Sequence, residues 1–218
     1  MGRFFNVDNG FFTFLSKVCD IIFLSVVYFF LCLTIVSIGP ATTAMYYATV
    51  KVIRRERGYL FREFFKSFKL NFKRGAIVGV VLTIMAAILV VDLITAWASL
   101  SGQTSSSIWF GIYVAISVIV AGFSIYVFPV LSRFELTVKQ LVKTVFFISM
   151  RHLPSTVCML IITAAGILGC LFVPLLIFAV PATVTFLNSF LMERILKKYM
   201  PKSENTEENI TKDEWYLE

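Results

Sequence analysis

The sequence has one histidine, four cysteines and only 13 acidic residues in 218. Metal centres draw on His, Cys, Asp and Glu at short spacings, and no HExxH element or Cys/His cluster occurs. Cys19, Cys32, Cys158 and Cys170 lie in or beside apolar runs with no CxxC pair, so they read as small hydrophobes rather than a disulfide framework. GxxxxGK, GxGxxG and GxSxG are also missing, which removes the usual signals of ATP hydrolysis, dinucleotide binding and serine-hydrolase chemistry. His152, next to Arg151, reads as an interfacial polar residue. No metal or other cofactor is expected, and the chain is read as non-enzymatic.

What is abundant is apolar. Hydrophobic residues make up 58% of the chain against 15% charged, and the mean hydropathy is +0.85. A soluble domain of this length cannot hide that much apolar surface, so much of it is expected to face lipid. The net charge of +7 does not signal nucleic acid, because the basic residues are interleaved with membrane-length apolar runs.

The charges sort by position. Between residues 40 and 74, nine basic residues face only Glu56 and Glu63, and a second block sets Arg133, Lys139, Lys143 and Arg151 against Glu135. From Glu193 onward, acidic residues outnumber basic ones by seven to five. Between the blocks lie stretches long enough for a hydrocarbon core of about 30 Å, which takes roughly 20 helical residues. Five spans are expected, at about 20–38, 75–97, 108–131, 155–173 and 174–192, within a single all-α polytopic membrane domain over 1–200. Lys and Arg beside short loops stay in the cytoplasm, so both basic blocks are placed inside, with the N-terminus outside and a polar tail, 201–218, in the cytoplasm. The alternative makes 40–52 a re-entrant or sixth segment and brings the N-terminus inside.

The basic blocks carry their own periodicity. Over 60–74, Phe61, Phe64, Phe65, Phe68 and Phe72 share one helical face and Arg62, Lys66, Lys69 and Lys73 the other. The pattern predicts a cytoplasmic amphipathic helix on an anionic inner leaflet, acting as an elbow into the next span or as a partner surface. A second one is expected at 135–150, with Leu141, Val142, Val145 and Phe146 on its apolar face. Pro40 and Pro129 each precede such a block, which hints at an internal repeat. At the front, Phe4, Phe5, Phe11, Phe12, Phe14 and Leu15 around a turn at Asn9-Gly10 suggest an interfacial hook.

Two acidic residues deserve weighing, since a charge at the bilayer centre costs at least ~2.5 kcal/mol on insertion scales. Asp20 and Asp92 both fall near span ends, where interfacial anchoring outweighs proton or ion coupling. Gly75 with Gly79, Gly111 with Ala115, Ser117 with Ala121, and Ala165 with Gly169 are small-residue pairs that let helices approach. They suit a packed bundle and are compatible with a homo-oligomer.

Several segments together resemble the YesL-like family of small bacterial membrane proteins. They are Phe4-Phe5-Asn6, Asp8-Asn9, the run Thr34-Ile35-Val36-Ser37-Ile38-Gly39-Pro40-Ala41-Thr42-Thr43-Ala44, Tyr46-Tyr47, Phe64-Phe65-Lys66-Ser67-Phe68-Lys69 and Asn71-Phe72-Lys73. The resemblance implies a multi-pass protein of the bacterial cell membrane with no catalytic residues to carry over. It implies an accessory role beside a carbohydrate ABC importer, with its permease subunits as partners. Gly39, Pro40, Thr42, Thr43, Phe64, Phe65, Phe68, Lys69, Asn71 and Phe72 are the candidate interaction residues. A small stand-alone transporter or channel is the second reading, and a membrane enzyme the third.

Overall fold

In the computed structural model, residues 10–99, 104–134 and 136–199 are described, and side chains from residue 14 onward except over 100–107 and at 135. Of the expected hook, residues 4–9 lie outside the described residues and Gly10 to Leu15 form the start of a helix instead of a turn; the tail 201–218 also lies outside the described residues. The chain is all-α: helices α1 (Gly10–Cys32), α2 (Ile38–Ala48), α3 (Leu60–Ala98), α4 (Thr104–Arg133), α5 (Val138–Arg151), α6 (Leu153–Phe172) and α7 (Val180–Leu196) follow in order. Among the described residues, α1, α3, α4 and α6 are long and apolar enough to cross a membrane. The protein is thus a polytopic helical membrane protein.

The segment at 38–54 forms the centre of the bundle. Its Ala41, Ala44, Ala48 and Val50 are fully buried, and Thr43 and Thr49 with them. The small residues of Gly39-Pro40-Ala41-Thr42-Thr43-Ala44 have little side chain to keep neighbours away, so helices close in around them. The closest approach is to α3: a Cβ on Gly79 would lie 2.6 Å from the Gly39 Cα, and one on Gly75 would lie 3.0 Å from the Pro40 nitrogen. Of the four small-residue pairs, Gly75 with Gly79 is the one seated in such a backbone contact; around Gly111 the space is open to 4 Å. Pro40 sits near the N-terminus of α2, where its missing N–H would have had no helical acceptor, and Thr43 donates back to the Gly39 carbonyl at 3.0 Å.

After Ala48 the backbone widens into a π-helical stretch, Thr49–Arg54, and then turns through Glu56 (φ 56°) and Gly58 (φ 86°). Gly58 takes the left-handed conformation at no steric cost, whereas Glu56 takes it as a non-glycine. The turn reverses the chain, so that Gly39 meets Gly75 and Lys51 meets Glu63: 38–54 runs antiparallel to the first half of α3. It also runs antiparallel to α1, because Tyr28 meets Thr42 and Lys17 meets Glu56 at 2.6 Å.

That last pair bears on the topology. A single crossing by 20–38 would separate Lys17 from the first basic block by the width of the membrane. Instead 38–54 folds back along α1, so the start of α1 and the basic turn share one end of the bundle. Small residues let 38–54 pack closely against α3 on its way back.

The amphipathic helix of 60–74 is the beginning of α3, which continues without a break for 39 residues. At ~1.5 Å per residue it is roughly 58 Å long, about twice the thickness of a hydrocarbon core. Its aromatic face also differs in use from the expectation. Phe64 is buried, and Phe65 and Phe68 pack on a core shared with Leu24, Met45 and Ile53, while Phe61 and Phe72 remain exposed. The face expected to meet lipid is in good part covered by α1 and α2.

The second core gathers Tyr126, Val127 and Val130 of α4, Leu141, Val145 and Ile148 of α5, Met159 of α6, and Met192, Ile195 and Leu196 of α7. In α5, capped by the reciprocal Thr137–Gln140 pair, the buried stripe is Leu141, Val145 and Ile148; Val142 and Phe146, expected on the same face, are exposed. The stripe runs at i, i+4 and i+7, one residue row round from the expected one. The segment at 174–192 begins as a 3₁₀ turn, Pro174–Phe178, and becomes helical only at Val180. The upper half of α3 and the first half of α4 expose Ile84, Ile88, Val91, Ile94, Ile108, Trp109 and Ile112, a surface suited to lipid.

Candidate functional site

Charged side chains converge where α2, α4 and α7 meet. The Glu193 carboxylate, 3% exposed, accepts from Arg133 Nη2 at 2.6 Å and from the Tyr46 hydroxyl at 2.8 Å, both on Oε1. Its Oε2 faces Arg55 Nη2 at 3.7 Å. Arg133 is itself fully buried at the side chain. Taking such charges out of water costs several kcal/mol per ion unless partners surround them, so this arrangement holds only as a set. Each of the two basic blocks sends one arginine into it.

Lys51 and Glu63 form a second buried pair at 2.9 Å, and Lys51 also reaches the Tyr47 hydroxyl at 3.3 Å. Burial alone would lower the Lys51 pKa, but hydrogen bonds to Glu63 and Tyr47 outweigh it and hold the ammonium above its ordinary range. Arg54 donates to the Ser189 carbonyl at 2.9 Å and stacks over the Phe190 ring at 4.4 Å. Its neighbour Arg55 is shifted down, first by burial, although Glu193 opposes the shift. The π-helical stretch makes this possible. By adding a residue to the turn it points Lys51 towards α3 and Arg54 towards α7.

Two spaces adjoin the cluster. On one side Arg54, Arg55, Arg57, Arg194 and Lys197 line an open basic cleft of about 730 Å³ with Phe190 and Glu193. On the other, α1, α2, α4, α6 and α7 surround a mostly apolar cavity of about 400 Å³. Tyr46 separates the two: its ring lines the cavity while its hydroxyl binds Glu193, which lines the cleft. Asn188, 9% exposed, donates to Thr163 Oγ1 at 3.2 Å, and its Oδ1 has no protein partner.

The sequence-derived candidates fall in several places. Gly39 and Pro40 form the contact with α3, and Thr42 lines the cavity, donating to the Ile38 carbonyl at 2.7 Å. Thr43 is buried in helix packing. Phe64, Phe65 and Phe68 belong to the core; Lys69 and Phe72 are exposed, and Asn71 turns back to Ser67. Asp20 and Asp92 are half-buried on α1 and α3, far from the cluster in sequence. Glu193, Arg133, Tyr46 and Asn188 were not singled out. Glu193 in particular was grouped with the acidic tail, although it lies on the helical row Ser189, Glu193 of α7, both buried. A lone acid on an otherwise apolar helical face was the available signal.

Residues 10–93 match the family described as "Protein of unknown function, DUF624". That stretch contains α1, α2, the π-helical stretch and most of α3, including the Gly39–Gly79 contact and the Lys51–Glu63 pair. The chain is 27% identical over 170 residues to "Uncharacterized protein YesL" of Bacillus subtilis (strain 168), covering 76% of this chain and 77% of that protein. No solved structure matches the chain.

Proposed function

We propose, from the family match over residues 10–93 and the similarity to YesL, that the chain is a non-enzymatic accessory or assembly protein of the bacterial cell membrane, bound to the permease subunits of a carbohydrate ABC importer. The observation that carries this reading is the two-sidedness of α5. One stripe of this helix is spent on the bundle, yet Val142, Phe146, Phe147 and Met150 remain exposed beside Lys139, Lys143 and Arg151. Such a face suits a partner's membrane-proximal surface or the anionic headgroups next to it. The ion clusters support the non-enzymatic part of the proposal, because they join helices to one another and so have a structural use.

The positive-inside rule orients the bundle with its basic end in the cytoplasm. Since Lys17, the basic turn, Arg133 and Glu193 gather at that end, we place the beginning of α1 and the end of α7 inside. Affinity capture of a tagged chain from detergent-solubilised membranes tests the partner: permease subunits should copurify, and should do so less with Phe146→Ser/Phe147→Ser. Recovery of permease no higher than from an untagged strain would end the proposal. The 400 Å³ cavity favours a second reading, a small transporter or channel acting alone or as a homo-oligomer. Solute or ion flux into proteoliposomes holding only this protein would select it.

A further inference from the structure

The cavity between α1, α2, α4, α6 and α7 has an unusual hydrogen-bond inventory. Its hydroxyl hydrogens are already committed. Thr42, Ser124, Thr163 and Thr185 each donate to the carbonyl one turn back, on Ile38, Val120, Met159 and Pro181, at 2.7 to 2.8 Å. With the Thr42 hydrogen so used, the 3.2 Å contact to Tyr28 requires Tyr28 to be the donor. Tyr46 gives its hydrogen to Glu193. Asn188 spends an amide hydrogen on Thr163 and leaves Oδ1 unmatched. Pro129, also in the wall, has no N–H to offer the Ile125 carbonyl.

The wall therefore presents oxygen acceptors set in apolar surroundings. A buried acceptor without a donor loses about 1–3 kcal/mol, so the cavity favours an occupant that brings hydrogens. Charge narrows the choice. An anion would meet lone pairs from every hydroxyl, with only the second Asn188 amide hydrogen to answer it. A cation would sit above a floor where one carboxylate, Glu193, already answers Arg133 and Arg55, leaving its desolvation uncompensated. From this we infer that the cavity is a binding site for a small neutral solute carrying several O–H or N–H donors, with the Asn188 side chain as its principal anchor. The volume, about 400 Å³, lies within the range of small-molecule sites. The inference stands apart from the proposed importer partnership.

The test is saturation-transfer NMR and equilibrium dialysis on the full chain in detergent, with three probes. Erythritol supplies hydroxyl donors, malonamide supplies amide donors, and tetra-O-methyl erythritol has the polyol's skeleton without donors. One or both of the donor probes should bind, which identifies the source of the donors, and the ether should not. Asn188→Leu should weaken binding about tenfold, the worth of roughly one hydrogen bond. Thr185→Val, which keeps the shape and removes one oxygen, is a milder second variant and should weaken it about threefold on the same scale. Failure of both donor probes to bind, equal binding of the ether, or unchanged affinity in both variants would overturn the inference and leave a merely hydrated cavity.

Discussion

Glu193 and Arg133, 60 residues apart in sequence, meet at 2.6 Å with their side chains 3% and 0% exposed. A charge pair that deep ties the end of α4 to α7, and through Tyr46 it includes α2. Breaking it from one side leaves the other ion buried alone. Glu193→Leu should therefore destabilise the protein by about 3–5 kcal/mol, whereas Glu193→Leu combined with Arg133→Met should recover much of that loss. Thermal unfolding of the purified variants in one detergent checks both; equal midpoints for the single and double variants would show that the pair is not coupled.

The glycines of α2 and α3 should respond very differently from one in α4. An alanine at Gly79 would place its Cβ 2.6 Å from the Gly39 Cα and 2.7 Å from its nitrogen, and a backbone cannot yield as a side-chain tip can. Gly79→Ala should lower the yield of monodisperse protein severely. At Gly111 nothing lies within 4 Å, so Gly111→Ala should be neutral or stabilise by up to about 1 kcal/mol through helix propensity. Size-exclusion profiles of the two variants make the comparison.

His152, the sequence's one histidine, caps the gap between α5 and α6 and lies 3.2 Å from the Tyr199 hydroxyl. Burial, then the nearby Lys198 and Arg151, push its pKa below the ordinary 6.5. The folded state thus holds the proton less tightly than the unfolded chain. Its contribution to stability is present above pH 6.5 and is lost as pH falls through the folded-state pKa. Imidazole NMR resonances should titrate with a midpoint under 6.5, and His152→Gln should flatten the acid side of the stability profile. A midpoint above 6.5 would contradict this.

Much of the architecture was legible from composition and period. The apolar runs of α3, α4 and α6 needed only length, and the stripe of phenylalanines at 61–72 announced a helix. What periodicity could not say was which side of that stripe would meet protein, because the buried Phe64 and the exposed Phe61 look alike in sequence. The central position of 38–54 was hidden for a related reason: its burial comes from glycine and alanine letting α3 approach, and hydropathy does not measure closeness. The buried cluster was hidden by charge counting. Arg55 and Arg133 contribute to the positive-inside signal like any other arginine, and only their convergence on Glu193 separates them from the solvated lysines around them.

The shared end of α1 and the basic turn is the relation on which the orientation, and with it the placement of α5 in the cytoplasm, depends. It is tested most directly by cysteine accessibility in intact cells, in a background with Cys19, Cys32, Cys158 and Cys170 replaced by serine. A membrane-impermeant maleimide should label Ser99→Cys and should leave Lys17→Cys and Glu56→Cys unlabelled until the cells are opened, and a bis-maleimide crosslinker should then join the two cysteines of the double variant Lys17→Cys/Glu56→Cys. Labelling of Lys17→Cys from outside, with Glu56→Cys protected and no crosslink between them, would contradict the account.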